Sequence, residues 1–171
     1  YYTMVKTSDG DQLGLVQLYT PDEKQNIRAY LVGNTKNGEN KLKLYKFSSD
    51  SNIVGPMQLD KQIEEDETIS AELESLNVTG TKLTKQMIAV PINNTLLYVE
   101  PVYQQQLNEK NAIPLLKKVI VASGNKVAVG NNLKEALENL VSQSATNIKV
   151  DNTDTTNDLI NTIIDANKNL K

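Results

Sequence analysis

The chain holds no cysteine and no histidine among its 171 residues. Those two absences exclude structural zinc sites, cysteine nucleophiles, Ser-His-Asp triads and haem ligation by histidine or cysteine. No disulfide can form, so cysteine usage gives no indication of compartment. Tryptophan is also missing, and Arg28 is the single arginine. With a net charge of -3 and a pI near 5.1, the chain lacks the clustered basic face that grips nucleic acid. No nucleic-acid partner is expected. No run approaches the 18 or more apolar residues of a membrane span. The glycines are too few and too scattered for a phosphate cradle, and Gly80-Thr81-Lys82 lacks the preceding glycine of a P-loop. No Gly-x-Ser-x-Gly elbow occurs. No initiator methionine precedes Tyr1, so a longer polypeptide with its targeting segments upstream is expected.

What is present is an ordinary globular composition, 39% hydrophobic and 23% charged. A chain of this length can bury roughly 70% of its unfolded surface. Its organising stretch is Ile88 to Tyr103, two β-prone runs about Asn93-Asn94, which tolerate the backbone of a tight turn. Pro91 and Pro101 cannot donate to a ladder, and each marks a strand end, an edge or a bulge. Upstream, Tyr1–Thr7 and Gln12–Tyr19 form a hairpin about Asp9-Gly10. Ile27–Val32 reads as a strand, Gly33–Gly38 as a loop, and Lys41–Phe47 as a strand alternating Leu42 and Leu44 against Tyr45 and Phe47. Helical spacing from Pro56 to Leu76 predicts a long helix with a break near Glu65–Glu67. Leu83 and Met87–Ile92 make the first strand of the central hairpin. Lys117–Ala122 and Lys126–Val129 pair about Ser123-Gly124-Asn125, and Asn131 or Asn132 caps a helix through Val141.

The expected fold is therefore α+β, antiparallel hairpins forming a sheet packed against a few helices. Residues 1–141 read as one such domain and residues 142–171 as a polar tail. Within the tail, Leu159, Ile160, Ile163 and Ile164 form a short amphipathic patch, suited to docking on its own domain or on a partner. Asp151–Asp158 lacks the glycine and closing glutamate of a calcium loop.

Chemistry-bearing candidates are few. Glu100, flanked by Tyr98 and Tyr103, is the candidate ligand-binding group, as a carboxylate set among aromatics. Glu64, Glu65, Asp66 and Glu67 are weak metal candidates, as ligands of a hard cation or as a cap of the second helix segment, with a solvated face as the bland alternative. Lys117-Lys118 reads as a guarded strand edge. No catalytic residue and no cofactor is assigned.

Three stretches together resemble a known family. They are Gly55-Pro56-Met57-Gln58 opening a helix, Pro91 through Leu96-Leu97-Tyr98-Val99-Glu100-Pro101-Val102-Tyr103, and Pro114 through Val119-Ile120-Val121-Ala122 and Gly124. Leu133-x-Glu135-Ala136-Leu137 follows the last, and Tyr19-Thr20-Pro21 before Ala29-Tyr30-Leu31 fits upstream. The chain resembles the C-terminal soluble part of uncharacterised protein family 0182, large bacterial integral membrane proteins. It departs mildly at Tyr30, where the family has tryptophan, and at Lys24, where it has arginine. The resemblance implies transmembrane helices upstream as partners and an extracytoplasmic position at the cell membrane. It implies no activity. A non-enzymatic binding or assembly module is the expected function, with a homo-oligomer or an envelope protein as further partners. A carboxylate- or metal-dependent envelope hydrolase and a ligand-presenting domain of a transporter-like protein are the alternatives.

Overall fold

In the computed structural model, the described residues are 1–7, 10–21, 25–36, 38–48, 51, 53–92 and 95–145. The Asn93-Asn94 turn, Lys24 and the tail beyond 145, with its amphipathic patch and Asp151–Asp158, lie outside them. The architecture is α+β, and the strands divide between two antiparallel sheets rather than forming one.

The first sheet is a meander of β1 (Tyr2–Thr7), β2 (Gly10–Tyr19), β3 (Ala29–Lys36) and β4 (Glu39–Lys46), in the order β1-β2-β3-β4. β3 corrects the sequence reading. The ladder continues through the expected loop, with Gly33 opposite Leu42 and Lys36 opposite Glu39. Just before β4 begins, Gly38 takes φ +82°, a backbone that glycine adopts without strain. Asn37-Gly38 is the strongest two-residue hairpin signal there is.

Alternation along β4 leaves its inward face open, and the structure decides it. Leu42 and Leu44 are 76% and 49% exposed, while Tyr45 and Phe47 turn inward on Tyr30. The Tyr30 and Tyr45 rings stack with centroids 4.7 Å apart, an arrangement worth about 0.5–1.5 kcal/mol beyond its buried area. Val5, Val16, Tyr30 and Val32 complete that inner face.

The helical stretch breaks where the apolar register slips, giving α1 (Pro56–Glu65) and α2 (Glu67–Leu76). Pro56 occupies the first helical turn, where a missing N–H costs nothing. The Gly55 N–H donates to Gln58 Oε1 at 3.1 Å. Asp66 serves both helices: its N–H donates to the Gln62 carbonyl, and its carboxylate accepts from Ile69 N at 2.9 Å. Leu59, Ile63 and Ile69 are almost wholly buried, each stabilising by about 1.5–3 kcal/mol.

The second sheet contains β5 (Thr81–Lys85), β6 (Ile88–Ile92), β7 (Thr95–Gln106), β8 (Leu115–Ser123) and β9 (Lys126–Gly130). β7 is its spine. One edge of β7 pairs with β6 over Thr95–Val99 and with β5 over Val102–Gln106; the other pairs with β8, which pairs with β9. Pro101 thus sits mid-strand rather than at a strand end. It falls where neither β5 nor β6 reaches, so its missing donor leaves no ladder bond unmade.

Sheet two has helices on both faces. α1 and α2 cover Leu96, Tyr98, Val102, Ile120 and Ala122. α3 (Leu133–Ala145) lays Ala136, Leu137 and Leu140 on Leu97, Val119, Val121 and Ala128. Asn132 is its cap: Oδ1 accepts from Glu135 N at 3.0 Å, and Glu135 Oε2 accepts from Asn131 N at 3.0 Å. The two sheets meet where β1 approaches β6, with the Tyr1 hydroxyl donating to the Ala89 carbonyl at 2.5 Å, and the Ile27–Ile53 bridge ties the connection before β3 to the segment before α1.

Candidate functional site

The break between β5 and β6 accompanies the one buried charged side chain among the described residues. Along β7, alternation turns Leu96, Tyr98, Glu100 and Val102 to the face beneath α1 and α2. Glu100 therefore lies in an apolar layer, 5% exposed. Lys85, the last residue of β5, reaches across the break and brings Nζ to 3.6 Å from Glu100 Oε2. That is an ion pair, too long for a hydrogen bond, and Oε2 is left without a hydrogen-bond partner. Burial pushes the Glu100 carboxyl above the usual carboxylate range. The Lys85 ammonium pulls it down and the charge of Asp60, on α1, pushes it further up.

The two tyrosines flanking it diverge. Tyr98 shares the face of Glu100, but its hydroxyl donates to the Val54 carbonyl at 2.5 Å. Burial raises its phenol strongly, so it stays protonated and acts as a strut between β7 and the strand of chain before α1. Tyr103 points to the opposite face and is 37% exposed. The structure thus brings Glu100 and Tyr98 together and leaves Tyr103 across the sheet. Lys85 had no sequence signal beyond its charge, since only the strand break aims it at Glu100.

The acidic run is dispersed. Glu64, Glu65 and Glu67 are exposed, Asp66 caps α2, and Lys61 pairs with Glu65 at 3.7 Å. Among the described residues, no three acidic side chains gather as metal ligands. Lys118, rather than guarding an edge in solvent, is 16% exposed and bonds Glu72 of α2 at 2.7 Å. That pair ties α2 to β8.

The described residues also line open depressions. One, about 280 Å³, is lined by Asp66, Thr68, Val127 and Asn139 among others. Another, about 470 Å³, lies on the first sheet over Gly33, rimmed by Tyr2, Leu13, Leu15 and Leu42. Around the second, the outer face of the meander is apolar. Tyr2, Met4, Leu13, Leu15, Leu42 and Leu44 are each 45–76% exposed, and the register places them side by side: Tyr2 opposite Leu15, Met4 opposite Leu13, and Leu15 and Leu42 both opposite Gly33. An outward sheet face is ordinarily polar.

Comparison with known proteins agrees with the motifs. The profile of the uncharacterised protein family UPF0182 matches residues 1–76, which take in the first sheet, α1 and α2. A UPF0182 protein of Caldicellulosiruptor saccharolyticus is 35% identical over 153 residues, 87% of this chain and 17% of its own length. One from Pelotomaculum thermopropionicum is 38% identical over 151 residues, 85% of this chain and 16% of its own. One from Microcystis aeruginosa is 36% identical over 146 residues, 83% and 15%. The chain therefore spans about one sixth of the length of these relatives. No solved structure matches it.

Proposed function

This chain belongs to the uncharacterised protein family UPF0182, and from that premise we propose that it is a non-catalytic interaction module of a much larger membrane protein, standing on the extracytoplasmic side of the cell membrane. The observation that carries the reading is the outer face of the first sheet, six large apolar side chains presented together on a folded scaffold. A patch of this kind on a soluble surface marks a protein contact. The chemistry supports the same reading: Glu100 is enclosed with Lys85, and Tyr98 is committed to a backbone carbonyl. Among the described residues no helix is long and apolar enough to cross a membrane, so anchoring would come from the larger protein.

The test uses a chimera in which the matched segment of the full-length Pelotomaculum relative is replaced by this sequence. Ile113, 77% exposed, is changed to cysteine, in a background without other thiols. A membrane-impermeant maleimide applied to intact cells should label it. Labelling only after the cells are broken would place the module inside and end this reading.

A second reading, ligand presentation, draws on the depression beside Thr68 and Asn139, near the lower end of ligand-site volumes. A thermal-shift screen against divalent cations, sugars, amino acids and cell-wall fragments decides it. A ligand at a hundredfold its Kd would stabilise by about 2.7 kcal/mol.

A further inference from the structure

We infer that the outer face of the first sheet is an intramolecular docking surface, covered in the longer protein by polypeptide of that same protein lying outside the 171 residues. This inference rests on the interaction-module reading and names the partner of its face.

The face is largely apolar, with Thr35 and Asn40 at the rim of its hollow, and its opposite side is already packed with Val5, Val16, Tyr30 and Val32. At its middle the row of side chains dips. Gly33 carries none, and a Cβ there would stand 3.2 Å from Leu42 Cδ2. The resulting hollow, rimmed by Leu15 and Leu42, has room for a side chain entering from outside.

Size decides between occupants. Four strands spaced about 4.8 Å apart, over roughly seven residues each, give a face of about 450 Å² in projection. A standard stable interface between separate chains buries about 800 Å² on each side. The face is therefore small for a dimer, which must also overcome the loss of translational and rotational freedom. A segment of the same polypeptide escapes most of that cost, being already held nearby. The relatives supply the material, since about five sixths of their length lies outside the region this chain matches. The family profile also covers the whole of this sheet.

Native methionines read the inference without substitution. Met4 lies on the face and is 55% exposed; Met57 lies off it, on α1, and is 71% exposed. Hydroxyl-radical footprinting should oxidise both readily in the 171-residue chain. In the chimera, Met4 should react about tenfold more slowly, as stable cover requires, while Met57 slows much less. Equal oxidation of Met4 in the two proteins would overturn the inference. So would protection of Met4 in the isolated chain that deepens with concentration, since a second copy would then be the occupant. Protection of the isolated chain by phospholipid vesicles would overturn it in favour of a lipid surface. Should the chimera fail to assemble, carbene footprinting of the unaltered Pelotomaculum relative, against its excised matched segment, reads the aligned face positions; protection there in the full-length protein alone is expected, and equal labelling would overturn the inference. An open Met4 leaves the interaction-module reading standing, with a separate partner to be found. Inward labelling at Ile113→Cys ends that reading's extracytoplasmic placement without touching the face.

Discussion

Lys85 Nζ lies 3.6 Å from Glu100 Oε2 across the break between β5 and β6, and the carboxylate is buried while the ammonium is partly solvated. The pair is asymmetric, and so are the expected costs. Lys85→Met leaves a buried carboxylate uncompensated and should destabilise by about 1–3 kcal/mol. Glu100→Gln leaves only a partly exposed ammonium and should cost less than about 1 kcal/mol. Urea denaturation of both single variants and the double variant gives the coupling.

The same pair sets a pH dependence. The Glu100 carboxyl is raised above its ordinary value of 4.5, by burial first and by Asp60, against the pull of Lys85. A raised value means that the folded state holds its proton more firmly than the unfolded state. Its contribution is complete below about 4.5 and is lost as pH rises through the raised folded value. Stability should fall with pH across that window, and Glu100→Gln should flatten this component. Equal slopes in the two proteins would contradict it.

Gly55 and Gly130 allow backbone to approach backbone. A Cβ on Gly55 would stand 1.8 Å from the Gln25 carbonyl oxygen, and one on Gly130 2.4 Å from Ala136 N. Neither neighbour is a side chain that can swing aside. Gly55→Ala should cost about 3 kcal/mol or more, toward the upper end for overpacking, and Gly130→Ala should loosen α3 from β9. Thermal melts of the two variants check this.

Tyr98→Phe removes the hydroxyl that donates to the Val54 carbonyl. The carbonyl loses its partner in a part-buried place, so a loss of about 1–2 kcal/mol is expected. Tyr103→Phe, on the exposed side, should be nearly silent. Chemical denaturation distinguishes them.

Much of the fold was legible because local chemistry and tertiary contacts agree. The β1–β2 hairpin, the helix break at Asp66 and the asparagine cap of α3 each follow from residues a few positions apart. The inward face of β4 was left open because both of its faces carry apolar residues. Alternation shows that Leu42 and Leu44 oppose Tyr45 and Phe47, but only the stack on Tyr30 decides which pair turns inward. The strand through Gly33–Lys36 was hidden by turn-forming residues whose ladder to β4 overrides them. At the candidate site, Glu100 and Tyr98 share a face by simple alternation. The burial of Glu100 depends on α1 and α2 above it, and its partner Lys85 on a gap between two strands. No spacing in the sequence carries either fact.

The central claim is that the first sheet offers its apolar face for cover, and one double substitution tests it most directly. Leu13→Lys with Leu42→Lys alters two exposed side chains of the isolated chain, so its stability should stay within about 0.5 kcal/mol. In the full-length chimera the same lysines would be buried without partners, and the protein should melt lower or fail to accumulate. An unchanged isolated chain beside a destabilised longer protein is the predicted result. Equal stability of substituted and unsubstituted protein in both settings would contradict the account.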